Sequence, residues 1–143
     1  MTTLPRRLVL TAAAATVLLP AATQANPDRV TALIRDFVGG APLAEGRIKL
    51  DLPVLVENGN AVSMAISVDA PAGAVRDIAV FADGNPLPEV LRLRLGPASG
   101  PPQVETRIRL ATSQTVTAIA RMADGTCWRD QVELLVTLAA CIE

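Results

Sequence analysis

The feature that most constrains the fold of this chain is a period-two alternation of apolar and polar residues that recurs from Ile48 onward. In its first segment Ile48, Leu50 and Leu52 alternate with Lys49 and Asp51. Successive side chains of a β-strand point to opposite faces, so this pattern predicts a half-buried strand. Six further apolar or alternating segments follow, at residues 62–68, 75–82, 91–95, 104–110, 115–122 and 126–138.

Turn-forming residues separate these segments. Residues 57–60 (Glu-Asn-Gly-Asn), residues 83–86 (Asp-Gly-Asn-Pro) and Asp124 with Gly125 are strong turn signals, and residues 96–102 form a loop rich in glycine and proline. About seven strands at this spacing predict an all-β, immunoglobulin-like antiparallel β-sandwich. The Cys…Trp…Cys pin of antibody domains is missing, so the prediction concerns the architecture alone.

A short amphipathic helix is predicted before the strands. Asn26 suits the N-cap, Pro27 suits the first turn, and the glycines at 39 and 40 end the helix. We interpret it as a core-packing helix rather than a partner-binding one. Its apolar stripe, at the spacing i, i+3, i+4 and i+7, consists of Val30, Leu33, Ile34 and Phe37.

The first 25 residues have the pattern of an export signal. Arg6 and Arg7 precede an apolar run at residues 8–19, and small residues at 23–25 suit cleavage. The apolar run is too short for the roughly 20 residues that span a bilayer. The paired arginines favour the twin-arginine route over the Sec route, which stays open, and either route leads to the periplasm. We therefore divide the chain into a signal (1–25), a helical segment (26–40), a sandwich (41–138) and a C-terminal tail (139–143).

Composition argues against several classes of function. The formal net charge is −1, and loss of Arg6 and Arg7 would make it −3, which disfavours binding to nucleic acid or to an anionic membrane. The chain has no histidine and only two cysteines, so a typical zinc site cannot be completed. It also lacks a glycine-rich phosphate loop and a Ser/His/Asp set. We therefore expect no cofactor, no metal and no self-sufficient enzyme.

The two cysteines have different interpretations. Cys127 stands beside Trp128 at the start of the last predicted strand and suits a small packed group. Cys141 lies three residues from the C-terminus, where a packing role is unexpected. Fourteen residues of extended chain, at about 3.3 Å each, would hold the two thiols too far apart for an intramolecular disulfide. Cys141 is thus predicted to be a solitary thiol, which an intermolecular disulfide could also use.

Charged residues of the strands have two open interpretations. If the strands at 91–95 and 104–110 pair, the arginines on them share one face and form an anion-facing or partner-facing patch. The alternative, which we prefer, is a solvated polar face. Asp69, Asp77 and Asp83 are interpreted as turn and surface residues. The arginines concerned are Arg92, Arg94, Arg107 and Arg109.

Together these segments resemble the SoxY family, the covalent sulfur carriers of bacterial thiosulfate oxidation. The resemblance covers nearly all of residues 26–143 and the twin-arginine leader. Each segment alone is weak evidence, but their order and spacing are specific. The segments are GRIKLDLP (46–53), ENGN (57–60), FADGNP (81–86), ASG (98–100), VETRIRL (104–110) and the turn at 124–125 before a last strand that ends in a cysteine.

The resemblance implies an immunoglobulin-like fold and a heterodimer with a SoxZ-type subunit. It also implies that Cys141 is the covalent attachment point for sulfur intermediates, with no catalytic residue in this chain. Three transient partners would act on Cys141 and the sulfur bound to it: a c-type cytochrome enzyme that couples thiosulfate to the thiol, a hydrolase that releases sulfate, and a sulfane dehydrogenase. In the family the cysteine lies between glycine pairs, Gly-Gly-Cys-Gly-Gly. Here Ala139 and Ala140 precede it, and Ile142 and Glu143 follow it.

This tail leaves three hypotheses. The first is a periplasmic sulfur carrier of thiosulfate oxidation. The second is a divergent SoxY-like paralogue whose tail serves another sulfur compound, because alanine is stiffer than glycine and Glu143 should raise the pKa of a nearby thiol. The third is a non-carrier, immunoglobulin-like module that stabilises a SoxZ-type partner.

Overall fold

A computed structural model describes residues 26–140 of the protein. The predicted export signal at residues 1–25 and residues 141–143, which include Cys141, lie outside the described residues. One helix and nine strands make up the described part: α1 (Pro27–Val38), β1 (Leu43–Glu45), β2 (Ile48–Asp51), β3 (Leu55–Val56), β4 (Val62–Val68), β5 (Val75–Ala82), β6 (Glu89–Arg94), β7 (Gln103–Ile108), β8 (Gln114–Met122) and β9 (Cys127–Val136).

The strands form two sheets. The larger sheet has six strands in the order β1-β9-β8-β5-β6, with β3 added to β9, and the smaller sheet has the order β2-β4-β7. Most neighbours are antiparallel, but β1 and β3 both pair with β9 in parallel. The prediction of an immunoglobulin-like sandwich preceded by a short helix is confirmed. The two strands that sequence analysis missed are β1 and β3.

The core lies between the two sheets, and a second apolar layer lies under the helix. Ile48, Met64, Ile66, Val80 and Val116 are among the buried residues between the sheets. β5 is buried along seven of its eight residues because one face points to this core and the other to α1. The helix thus makes a third layer on the outer face of the larger sheet, in agreement with the interpretation of α1 as a core-packing helix.

The helix begins and ends as its sequence predicts. The Asn26 side chain accepts hydrogen bonds from the backbone N–H groups of Asp28 and Arg29, and Gly39 is left-handed at the C-cap. Phe37 packs edge-on against Phe81, with ring centroids 6.2 Å apart. Both rings are buried, so this contact fixes the helix on the sheet.

A buried ion pair fixes the end of the helix and corrects one prediction. Asp77 is only 3% exposed, although we expected a surface residue. Its carboxylate accepts hydrogen bonds from Arg121 and from Arg94, and Arg121 also donates to the Phe37 carbonyl oxygen at 3.1 Å. Burial by itself would raise the pKa of the Asp77 carboxyl, but Arg121 and Arg94 outweigh it and hold that pKa below its ordinary value.

The shared arginine face does not form. β6 pairs with β5 in the larger sheet, whereas β7 pairs with β4 in the smaller one. The loop at residues 96–102 carries the chain from one sheet to the other instead of closing a hairpin. Arg92 forms an ion pair with Glu89 and lies over the Phe37 ring, and Arg94 reaches Asp77. The condition for the four-arginine patch is therefore not met, and the interpretation that we preferred, a solvated polar face, remains.

Candidate functional site

The candidate site is the end of β9, where the described chain stops one residue before Cys141. We call residues 138–140 the tail root. Strand β9 lies inside the larger sheet with β8 on one edge. At the end of β9, successive backbone N–H groups donate alternately to segments on its two sides. The N–H groups of Leu135 and Thr137 donate to the carbonyl oxygens of Val54 and Val56. The Val136 N–H donates to the Ser113 hydroxyl oxygen on the other side.

Beyond the strand, two backbone hydrogen bonds hold the tail root on the body, and a third joins the two body segments that make them. The Gly59 N–H donates to the Leu138 carbonyl oxygen at 2.8 Å, and the Leu110 N–H donates to the Gly59 carbonyl oxygen at 2.9 Å. The Ala140 N–H donates to the Leu110 carbonyl oxygen at 3.1 Å. We call these backbone groups of Gly59, Leu110, Leu138 and Ala140 the tail clamp.

The two body segments of the clamp, at Gly59 and at Leu110, are each held in place by their own local contacts. Gly59 lies in the predicted turn, where the Asn58 side-chain oxygen accepts from the backbone N–H and the side-chain amide of Asn60, each at 3.0 Å. Leu110 is fully buried. The buried Asn85 side chain binds both of its neighbours, because it donates to the Arg109 carbonyl oxygen and accepts from the Ala111 N–H, each at 2.9 Å.

The surface around the tail root is apolar. Leu138 is 59% exposed, while Ala140 is buried. β3 and β9 add further exposed apolar side chains beside it, since Leu55 is the register partner of Leu135. We call this surface the apolar rim. It consists of Val54, Leu55, Leu135 and Leu138.

The site has few side chains of its own that could act as an acid or a base. Glu57 and Asn58 line an open groove beside the turn, together with Leu55 and Val56. Within residues 26–140, no three acidic or cysteine side chains come together as a metal site would require. The same residues contain no helix with the length and apolarity to cross a membrane.

The two cysteines end up in different places. Cys127 is only 1% exposed and lies at the start of β9, under the helix, in one cluster with Phe37, Ala79, Phe81 and Ile119. Burial raises the pKa of its thiol, and Asp124 raises it further, although Arg121 acts in the opposite direction. Cys127 is free, and its interpretation as a packed group is confirmed. The role of Cys141 stays a prediction, because this residue lies outside the described residues.

Sequence analysis missed the clamp. The turn at 57–60 was found from its Asn-Gly signal, but nothing local relates it to a tail some 80 residues later. The buried Asn85 was noticed only as part of a turn. A glycine inside an otherwise polar turn is the one signal that could have drawn attention to Gly59, and it predicts a turn equally well without any contact.

Comparison with known proteins identifies relatives of the whole described fold. The family model described as "Sulfur oxidation protein SoxY" matches residues 34–141, more than two thirds of the chain, and so includes Cys141. No curated protein matches the chain significantly.

Among solved structures, the sulfur carrier protein SoxY from Chlorobium limicola f thiosulfatophilum is similar, with a TM-score of 0.66 and 24% identity. The match covers 79% of this chain and all of that one. A superoxide reductase (neelaredoxin) from Ignicoccus hospitalis has a TM-score of 0.56 and 19% identity over 80% of this chain and 95% of its own. Identities this low show a shared fold.

Proposed function

The chain belongs to the SoxY family of sulfur oxidation proteins, and from that premise we propose that it is a sulfur carrier that holds its cargo on Cys141. The observation that carries the proposal is the burial of the other cysteine. Cys127 is 1% exposed beneath α1 and has a raised thiol pKa, so it is unsuited to exchange sulfur with other proteins. Cys141 is the other cysteine of the chain.

The chemistry assigned to Cys141 is covalent carriage. Its thiolate couples to the outer sulfur of thiosulfate, which forms an S–S bond and releases two electrons to an electron-accepting partner. Water then cleaves the terminal sulfonate as sulfate and leaves a persulfide anion on the cysteine, with two protons released. A six-electron oxidation of that persulfide sulfur, with its oxygen atoms taken from three water molecules, six protons released and the electrons passed to another partner, leaves a sulfonate on the cysteine sulfur. Hydrolysis then releases this sulfonate as a second sulfate with one proton and regenerates the thiol. The carrier supplies a nucleophile and a handle, and partner enzymes supply the catalysis.

The partners follow from this division of labour. We propose a heterodimer with a SoxZ-type subunit and transient contacts with a thiosulfate-coupling c-type cytochrome, a sulfate-releasing hydrolase and a sulfane dehydrogenase. The apolar rim supports such contacts, because Leu55, Leu135 and Leu138 are exposed near the point where the described chain ends. The export pattern of residues 1–25 supports a periplasmic location.

The tail sequence favours one alternative, a divergent carrier. Ala139 and Ala140 replace the family's first glycine pair, and Ile142 with Glu143 replaces the second. A channel fitted to glycine would exclude the branched Ile142 side chain, and the Glu143 carboxylate would oppose an anionic sulfur compound. Replacement of residues 139–143 by Gly-Gly-Cys-Gly-Gly separates the two cases. A gain in thiosulfate turnover favours the divergent carrier, and unchanged turnover favours the standard one.

The experiment that tests the proposal uses both cysteines. Cys141→Ser should abolish the protein's support of thiosulfate oxidation in a reconstituted system, whereas Cys127→Ser should retain it, since Cys127 takes no part in carriage. Circular dichroism checks that both variants are folded. Full support by Cys141→Ser would contradict the carrier function and would favour the non-carrier module that stabilises a SoxZ-type partner.

A further inference from the structure

The turn at residues 57–60 approaches the tail root more closely than any side chain would permit. A Cβ atom on Gly59 would lie 2.3 Å from the Leu110 carbonyl oxygen, 2.9 Å from the Ala140 nitrogen and 3.2 Å from the Leu138 carbonyl oxygen. All three are backbone atoms, so no side chain can turn away to make room. Glycine at this position is therefore required by the close approach of three chain segments.

The same three segments are those that the tail clamp joins. Gly59 binds Leu138 through its N–H and Leu110 through its carbonyl oxygen, and Leu110 in turn binds Ala140. A Cβ atom at 59 would clash most severely with the Leu110 carbonyl oxygen, which accepts from Ala140, and also with the backbone of Ala140 and Leu138. The segments would have to separate, which would open the hydrogen bonds of the clamp together. Because Leu138 is exposed and only Ala140 is buried, little apolar contact would replace them.

We propose that Gly59 is a positioning residue for the sulfur-bearing cysteine: through the tail clamp it fixes where the tail leaves the body and so sets the reach of Cys141. This inference rests on the proposed carrier function. With the clamp closed, the chain is held up to Ala140. With the clamp open, the last hydrogen bonds to the body are those of Thr137 with Val56 and Glu57. Three more residues then join the arm, which adds about 10 Å at about 3.3 Å per residue.

A clamp of this kind suits a carrier that visits several enzymes. Closed, it keeps the arm short beside the apolar rim, where a partner first touches the protein. Open, it gives Cys141 the length to enter a recessed active site. The tail root is suited to open without unfolding the sandwich, because its two hydrogen bonds to Gly59 and Leu110 lie beyond the end of β9 and its side chains contribute little to the core.

The test is a spin-label experiment on the full protein. A thiol-reactive nitroxide is attached to Cys141, while the buried Cys127 stays unlabelled. Gly59→Ala should narrow the nitroxide lines through faster motion of the tail. It should also speed amide hydrogen exchange at Ala140 by about tenfold or more, since the clamp no longer protects that group.

Gly96→Ala is the matched control. It is the same chemical change, at a glycine without a left-handed backbone whose added Cβ would meet nothing closer than 3.8 Å. Its spectrum and its Ala140 exchange should equal those of the parent. Equal spectra and equal exchange in folded Gly59→Ala and the parent would overturn the proposal.

A second variant covers the case in which Gly59→Ala does not fold. Ala140→Pro removes the N–H that donates to Leu110 and leaves Gly59 unchanged. It should mobilise the label and speed exchange at the Gly59 amide to a smaller degree, and an unchanged spectrum would again overturn the proposal. Neither readout needs sulfur chemistry. If Cys141 carries sulfur but the label is no more mobile in either variant than in the parent, the clamp alone is refuted. If the label becomes more mobile in the variants but Cys141 never carries sulfur, the carrier function alone is refuted.

Discussion

The two ends of strand β9 differ in how they hold a cysteine. At its start Cys127 is covered by α1 and packed among apolar side chains, so side-chain burial fixes it. At its far end the tail root is held by backbone hydrogen bonds, beside apolar side chains that face solvent. Side-chain packing makes a thiol inaccessible to reactants, whereas backbone hydrogen bonds can hold a chain segment in place and later release it. One strand thus provides both a structural and a proposed functional cysteine.

The largest effect is expected when the packed end is damaged. Phe37→Ala removes the ring that contacts Phe81 and leaves a cavity under the helix. We expect the free energy of unfolding to fall by about 3–5 kcal/mol, as for other buried aromatic side chains. Urea unfolding followed by circular dichroism measures it. Leu87→Ala, at a side chain that is 66% exposed, is the control and should change stability by less than about 0.5 kcal/mol. A loss below about 1 kcal/mol in Phe37→Ala would mean that the helix contributes little.

A smaller effect is expected from the ion pair that ties the helix end to the sheet. Asp77→Asn should cost about 1–3 kcal/mol at neutral pH, less than for a fully enclosed pair because Arg121 is partly exposed and Arg94 is mostly exposed. The folded state lowers the pKa of Asp77, so its contribution is present above the unfolded value of about 4. It is lost as the pH falls from there through the folded pKa. The stability difference between the parent and Asp77→Asn should therefore shrink below about pH 4. A constant difference from pH 7 to pH 3 would contradict this assignment.

The smallest effect concerns Cys127 itself. Cys127→Ser places a hydroxyl group among Phe37, Phe81 and Ile119 and should cost about 1–2 kcal/mol. In the folded parent, iodoacetamide should leave Cys127 unmodified, because its thiol is buried and has a raised pKa. Denaturant should make it reactive. Modification of Cys127 at the same rate with and without denaturant would remove the contrast between the two ends of the strand.

Local patterns in the sequence predicted the elements well. The alternation at Val62–Val68 and the apolar run at Val75–Ala82 correspond to β4 and β5, residue for residue. The helix caps at Asn26 and Gly39 followed from local propensity as well. These features depend on a residue and its near neighbours, which a single sequence contains.

The features that sequence analysis did not predict all depend on pairing between residues that are far apart in the sequence. β1 and β3 have three and two residues, too few for a periodic pattern, and both form only because β9 offers an edge to them. The alternative of a shared arginine face required β6 and β7, which are neighbours in the sequence, to pair in one sheet, and they lie in different sheets. The prediction that Asp77 is a surface residue was wrong because its partner Arg121 lies on another strand. Of the candidate site, the sequence indicated the cysteine by resemblance, whereas the clamp that Gly59 forms was visible only in three dimensions.

The central claim is tested most directly by a mass spectrum of the protein isolated from cells that are oxidising thiosulfate, run with and without reductant. The account predicts reductant-labile additions of sulfur or of thiosulfonate on the peptide that contains Cys141, and none on the peptide that contains Cys127. An unmodified Cys141 under active thiosulfate oxidation, or sulfur attached to Cys127 instead, would contradict it.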